Sequence, residues 1–127
     1  MLLGASLQYL FSRSAESRKQ LRLLRTQAYS DYLRVVAKLA HVGRSDQQKR
    51  TALFSEAADA KARISVYGAA PVLSKLAAFE KTGAFLGSKE ALEIFIELCQ
   101  AMRSNGIVND AASKDDLRWI LFGPDQS

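Results

Sequence analysis

The sequence has few of the residues that build disulfides, metal sites and turns. It contains one cysteine, one histidine, two prolines and seven glycines in 127 residues. A single cysteine excludes an intrachain disulfide and suits a reducing compartment. One cysteine and one histidine cannot supply a His/Cys zinc site. The scarcity of proline and glycine leaves long stretches of Ala, Leu, Lys, Arg, Glu and Gln, which favour helices.

Motifs of enzymatic chemistry are missing as well. The glycines form no phosphate-binding loop and no dinucleotide fingerprint, and nothing near His41 resembles a nucleophile elbow. We assign His41 to a helix terminus and Cys99 to a buried apolar face. The acidic clusters are assigned to a solvated helix face and to capping: Glu90, Glu93 and Glu97, and Asp115 and Asp116. We therefore expect no catalytic residue, no bound metal and no cofactor.

Apolar residues recur at steps of three and four through most of the chain, which is the period of one helical face. They predict helices over residues 2–42, 46–67, 70–81 and 89–104, with a break in the first near 12–14 left open. A short last helix opens at 113–116 and ends at Gly123. Ser45 and Ser88 are predicted N-caps, and Pro71 suits the first turn of the third helix.

The fold class that follows is all-α. We expect a small helical bundle in which the long first helix packs antiparallel to the second. The fourth helix then lies across both, and the two short helices close the ends. Trp119 is expected to be partly exposed. The candidate core residues are Leu24, Tyr32, Val35, Leu39, Leu53, Ala57, Ile64, Leu76, Phe79, Leu92, Phe95, Ile96, Cys99, Leu117 and Leu121.

The first helix is too long for the bundle that it belongs to. A helix of about 40 residues is roughly 60 Å long, whereas a compact chain of this size is about 35 Å across. We expect its N-terminal end to project. This divides the chain into an apolar extension (residues 1–12), a single helical domain (13–123) and a tail (124–127). The extension carries no charge, and we expect it to contact a membrane or a partner through Leu2, Leu3, Leu7, Leu10 and Phe11.

Three alternatives remain for what shields the apolar extension from water. Twelve residues span only about 18 Å, whereas a bilayer core is roughly 30 Å thick, so the segment cannot cross alone. It could be the second half of an anchor whose start lies upstream. It could pair with another copy or another protein, or it could fold back onto the domain after a break. A signal peptide fits poorly, because the positive charges follow the apolar run instead of preceding it.

Basic residues are concentrated in the first third of the chain. Residues 1–50 carry 10 Lys/Arg against 3 Asp/Glu, and residues 51–127 carry 8 against 10. The cations directly after the apolar extension are typical of a positive-inside arrangement, with the domain on the cytoplasmic side. We expect contact with an anionic surface through Arg13, Arg18, Lys19, Arg22 and Arg25.

A nucleic-acid stripe is a weaker alternative for the same helix face. Arg18, Arg22 and Arg25 lie on one side of the helix together with Tyr29 and could meet phosphates. However, the remaining cations of this part of the chain scatter around other faces. No helix-turn-helix or RNA-binding signature accompanies them. The pattern therefore disfavours nucleic acid as the partner. An ordinary solvated helix face remains as the third alternative for these cations.

Three short runs carry a resemblance to other proteins: YGAAPV at 67–72, AMR at 101–103 and DLRWILFG at 116–123. Together they resemble a loose group of uncharacterised bacterial proteins. Members of that group have one N-terminal transmembrane helix followed by a small cytoplasmic helical domain. The resemblance covers residues 1–123 and implies a topology, without a mechanism.

The function that we expect is that of a non-catalytic interaction or scaffold domain. Its first helix would associate it with the cytoplasmic membrane face, where lipid headgroups are partners. The alternative is a helical adaptor or coiled-coil dimerisation module that binds a protein partner or a second copy through the same helix. The specific role, the identity of any partner and any small-molecule ligand are left open by the sequence.

Overall fold

The computed structural model describes residues 2–108 and 110–124, with side chains from Ser14 onward. Five helices form in these ranges, without a strand: α1 (Leu2–His41), α2 (Gln47–Tyr67), α3 (Ala70–Lys81), α4 (Lys89–Ser104) and α5 (Lys114–Phe122). The all-α prediction is therefore confirmed. α1 packs against α2, α3 against α4, and α4 against α5.

The first helix is continuous through residues 12–14. The sequence left a break open at this point, and the alternative in which the extension folds back depends on it. Without the break, the helix axis carries residues 2–13 onward from the part of α1 that packs on α2. Side chains before Ser14 lie outside the described part of the chain. They include those of the predicted contact residues Leu2, Leu3, Leu7, Leu10, Phe11 and Arg13. Residues 125–127 of the predicted tail lie outside it as well.

The helix termini follow local capping chemistry. The Ser88 and Ser113 hydroxyls accept hydrogen bonds from the backbone N–H groups of Ala91 and Asp116, at 3.1 and 3.0 Å. The prediction of Ser45 as the cap of α2 was wrong by one residue. Asp46 caps this helix instead, because its carboxylate accepts from the backbone N–H of Lys49 at 3.1 Å.

The core is built where α1, α2, α3 and α4 meet. Phe79 and Phe95 pack at its centre with ring centroids 5.3 Å apart, and Phe122 of α5 lies 6.2 Å from Phe95. A smaller cluster of Val35, Leu53 and Ala57 joins α1 to the first half of α2. Nine of the predicted core residues are buried: Tyr32, Val35, Leu53, Ala57, Ile64, Leu76, Phe79, Phe95 and Ile96.

Two predicted core residues are exposed instead. Leu24 is 47% exposed because it precedes Arg25, which already contacts Tyr67, the last residue of α2. Leu121 is 41% exposed because α5 turns Phe122 toward Phe95 instead. Leu39, Leu92, Cys99 and Leu117 are half-buried. The expectation of an exposed Trp119 is confirmed, at 61%.

Side chains of α1 also hydrogen bond to the backbone at the ends of α2 and α4. The Arg25 Nε donates to the backbone carbonyl of Tyr67 at 2.5 Å, in the last turn of α2. The buried Tyr29 hydroxyl accepts from the backbone N–H of Ala69 at 3.0 Å. The Thr26 hydroxyl accepts from the N–H of Ile107, in the loop after α4, also at 3.0 Å. One turn of α1 thus fixes two separate loops by hydrogen bonds.

Two buried tyrosines on α1 give a matched test of these contacts. Tyr29→Phe is expected to lower the free energy of unfolding by about 1–3 kcal/mol, because the Ala69 N–H is left buried without an acceptor. The Tyr32 hydroxyl is buried and makes no hydrogen bond of good geometry with the described residues, although burial and the nearby Glu80 carboxylate raise its pKa. Tyr32→Phe is therefore expected to change stability by less than about 0.5 kcal/mol, or to stabilise. Urea denaturation measures both, and equal losses would contradict this assignment.

Candidate functional site

The part of α1 that lies beyond the bundle is the first candidate site. We call residues 2–20 of α1 the α1 extension. All side chains from Ser14 to Gln20 are exposed, and Leu21 is the first half-buried one among the described side chains. Among the described side chains of α1, the first that hydrogen bond to another element are those of Arg25 and Thr26. At 1.5 Å per residue, the helical extension measures roughly 30 Å.

The cations at the base of the extension are exposed. Arg18, Lys19 and Arg22 form no ion pair with any side chain that the structure describes. Among the described residues, the Arg18 guanidinium donates only to the Ser14 hydroxyl, at 3.3 Å. Arg25 differs from them, because it is half-buried and its Nε is engaged by the Tyr67 carbonyl. Three of the five predicted surface cations are therefore exposed and unpaired within this part of the chain.

The aromatic member of the predicted nucleic-acid stripe is not on this surface. Tyr29 is only 3% exposed and belongs to the core, where its hydroxyl holds the Ala69 backbone. The expectation that Tyr29 lies beside the arginines on a solvent-facing stripe was therefore wrong. The physical reason is that the α1 face carrying Ala28, Tyr29 and Tyr32 is the one that packs on the bundle.

Several acidic side chains of the rest of the chain are bound within the bundle. Asp31 accepts from the Arg63 guanidinium at 2.7 Å, and this hydrogen bond lowers the pKa of the Asp31 carboxyl. Glu93 accepts from Arg118 at 2.6 Å, which lowers the pKa of Glu93 in the same way. Glu80 and Glu97 pair with lysines. These carboxylates already have cationic partners, so they do not compensate the exposed cations of α1.

Groups with catalytic potential are dispersed. In the ranges 2–108 and 110–124, no three His, Cys, Asp or Glu side chains come close enough together to hold a metal ion. His41 is exposed at the end of α1. Burial raises the pKa of the Cys99 thiol to about 12, so the thiolate is scarce at neutral pH. This agrees with the assignment of Cys99 to an apolar environment.

A groove beside α5 is a second candidate site, which the sequence analysis missed. It lies between α1, the loop after α4 and α5, and its volume is about 320 Å³. Ile107 and Ile120 line it and are 52% and 78% exposed. One sequence signal points to it: the nine residues of α5 include five large apolar side chains, too many for the single face that packs on α4.

A third site lies at the opposite end of the bundle from the extension. There, the last turns of α1 and the first turns of α2 leave an open groove of about 540 Å³. Its floor is apolar, and cations from both helices stand along its edges.

Comparisons with known proteins add no assignment. The chain matches no protein-family model, no curated protein and no solved structure. None of the helices described here has both the length and the apolar character that crossing a bilayer requires.

Proposed function

We propose that this chain is a non-catalytic interaction domain that associates with the cytoplasmic membrane face through its α1 extension. The observation that carries the proposal is the length of α1. The helix begins at Leu2, every side chain described before Leu21 is exposed, and exposed cations without an ion pair in the described part of the chain stand at the base of the extension. Residues 1–12 carry no charged side chain. A helix that only extended into water would gain nothing from such an apolar run.

The order of residues along the extension suits the membrane interface. As a helix, residues 1–12 measure about 18 Å, long enough to insert among headgroups and upper acyl chains. Arg18, Lys19 and Arg22 follow within about three turns and would meet lipid phosphates. Each such cation contributes about 1 kcal/mol near an anionic leaflet. Neither contribution alone gives stable attachment, but the two together can.

The bundle would hold the C-terminal part of α1 in place and so fix the direction of the extension. Arg25 contacts Tyr67, Asp31 contacts Arg63, and Val35 packs with Leu53. In these three pairs the residue number increases along α1 while that of its partner decreases along α2. We therefore infer that the two helices run antiparallel. Residues 25–42 are then held along most of α2, and the extension leaves the hairpin as the continuation of a fixed helix.

Vesicle flotation tests the proposal. Vesicles that contain phosphatidylserine are expected to carry the unaltered chain upward in a density gradient. Leu7→Glu with Leu10→Glu should reduce the floating fraction by about tenfold or more, because burying a carboxylate among lipids is costly. The matched control is Val66→Glu with Ile120→Glu, two exposed apolar residues outside the extension, 82% and 78% exposed. It should float like the unaltered chain.

Two results would contradict the membrane proposal. One is that the unaltered chain stays at the bottom of the gradient with both anionic and neutral vesicles. The other is that the two leucine substitutions in the extension leave flotation unchanged. Either would direct the search to protein contacts of α1.

A self-associating or adaptor role of α1 is the second candidate. Leu23 and Leu24, next to the extension, are 48% and 47% exposed, and a second helix lying on α1 would cover them. Sedimentation equilibrium distinguishes this role. A dimer that becomes monomeric when residues 1–12 are removed would support it, and a monomer in both cases would refute self-association.

A further inference from the structure

The groove at the far end of the bundle has a floor suited to a helix. It is supplied by Ala37 and Val42 on the α1 side and by Ala52 and Leu53 of α2. The lining residues extend over about two and a half turns of α1 and about one and a half turns of α2. Alanine side chains let another helix approach closely, and packed helix axes typically lie 8–10 Å apart. The groove is an open surface between two packed helices, on which a third helix can lie.

The edges of this groove carry one sign of charge. Arg34, Lys38 and His41 line it from α1, and Lys49 lines it from α2. No acidic side chain is among the lining residues. Arg34 lies 3.5 Å from Asp31 and Lys49 lies 3.7 Å from Asp46, but both side chains remain largely exposed, at 55% and 75%. Lys38 has no ion pair within the described ranges.

We propose that this basic groove docks an amphipathic helix of a partner protein, with an apolar seam and acidic flanks. Helix-in-groove recognition places apolar residues at i, i+3 or i+4, and i+7 on the groove floor. Asp or Glu on both flanks of such a helix would meet Lys38 and Arg34 on one edge and Lys49 on the other. Complementary charge of this kind sets orientation and selects against basic helices.

The basic groove and the α1 extension are separate surfaces. Arg22 and Lys38 are 16 positions apart on the same helix, which is about 24 Å along its axis. The docking proposal therefore does not rest on membrane attachment, and either can fail without the other. If both hold, the extension anchors one end of the bundle and the groove recruits a partner at the other end.

Selection from a library of displayed helical peptides tests the docking proposal on the full chain. The probe is a peptide of about 18 residues with leucines fixed along one seam and all other positions random. We expect enrichment of Asp and Glu beside the seam. Binding of the selected peptides should fall at least about tenfold in Lys38→Glu with Lys49→Glu, since two attractive pairs become repulsive. Ala52→Phe, which fills the floor without altering charge, should also weaken binding.

The matched control is Lys81→Glu with Lys89→Glu, which makes the same change of net charge at two exposed lysines outside the groove. Its affinity should stay within about twofold of the unaltered chain. The proposal is overturned if the selected peptides show no acidic enrichment, or if they bind the groove variants as well as the control. Sodium oleate that occupies the groove while no peptide does would also overturn it, in favour of an anionic lipid site.

Discussion

Phe79→Ala is expected to lower the free energy of unfolding by about 3–5 kcal/mol. The Phe79 ring is fully buried and packs against Phe95, with centroids 5.3 Å apart and planes tilted by 44°. It stands on α3 and contacts α4, so its removal opens a cavity in the apolar cluster that these two helices share. Rigid helices cannot collapse into such a gap without losing neighbouring contacts.

Urea denaturation followed by far-UV circular dichroism measures this loss. Phe85→Ala is the control, because Phe85 lies in the loop after α3 and is 56% exposed. It should cost less than about 1 kcal/mol. Comparable losses for the two phenylalanines would mean that the core does not centre on Phe79 and Phe95.

Reversing the cations at the base of the extension is expected to weaken binding to anionic vesicles by roughly a hundredfold. The variant carries Arg18→Glu, Lys19→Glu and Arg22→Glu, three exposed positions without ion pairs in the described part of the chain. Three lost attractions of about 1 kcal/mol each already account for this factor, and repulsion by the new carboxylates adds to it. The effect should shrink at high salt, since exposed charges are screened.

The control for this prediction is Lys38→Glu, Lys81→Glu and Lys89→Glu. Both variants change the formal net charge from +5 to −1, so they differ only in where the charge is reversed. Vesicle co-sedimentation at low and high salt measures the two partition coefficients. If the control loses as much affinity as the extension variant, net charge alone drives binding and the extension has no special role.

Helix positions were predictable because local chemistry sets them. The observed bounds of α3 and α4 coincide with the predicted residues 70–81 and 89–104, where Pro71 and Ser88 mark the starts. α2 begins one residue later than expected, since Asp46 competes with Ser45 for the cap and its carboxylate binds the Lys49 N–H. Capping interactions join residues that are about four positions apart, so the sequence alone shows both partners.

Burial was less predictable because it depends on where the neighbouring helices end. Leu24 fits the apolar period of α1 but lies past the last turn of α2, so it is exposed. Tyr29 carries a polar hydroxyl that is compatible with an exposed position, yet it is buried because this hydroxyl accepts a hydrogen bond from the Ala69 N–H. The basic groove was not predictable either, because its edges come from α1 and α2 and meet only after the two helices pack.

The central claim is that the α1 extension enters the membrane interface. The most direct measurement attaches an environment-sensitive fluorophore at residue 7, as Leu7→Cys in a Cys99→Ala background, and adds anionic vesicles with a nitroxide-labelled lipid. We predict a blue-shifted emission and strong quenching at residue 7, and neither at a probe placed on exposed Glu90 of α4. Emission at residue 7 that stays unshifted and unquenched, with vesicles in excess, would contradict the account.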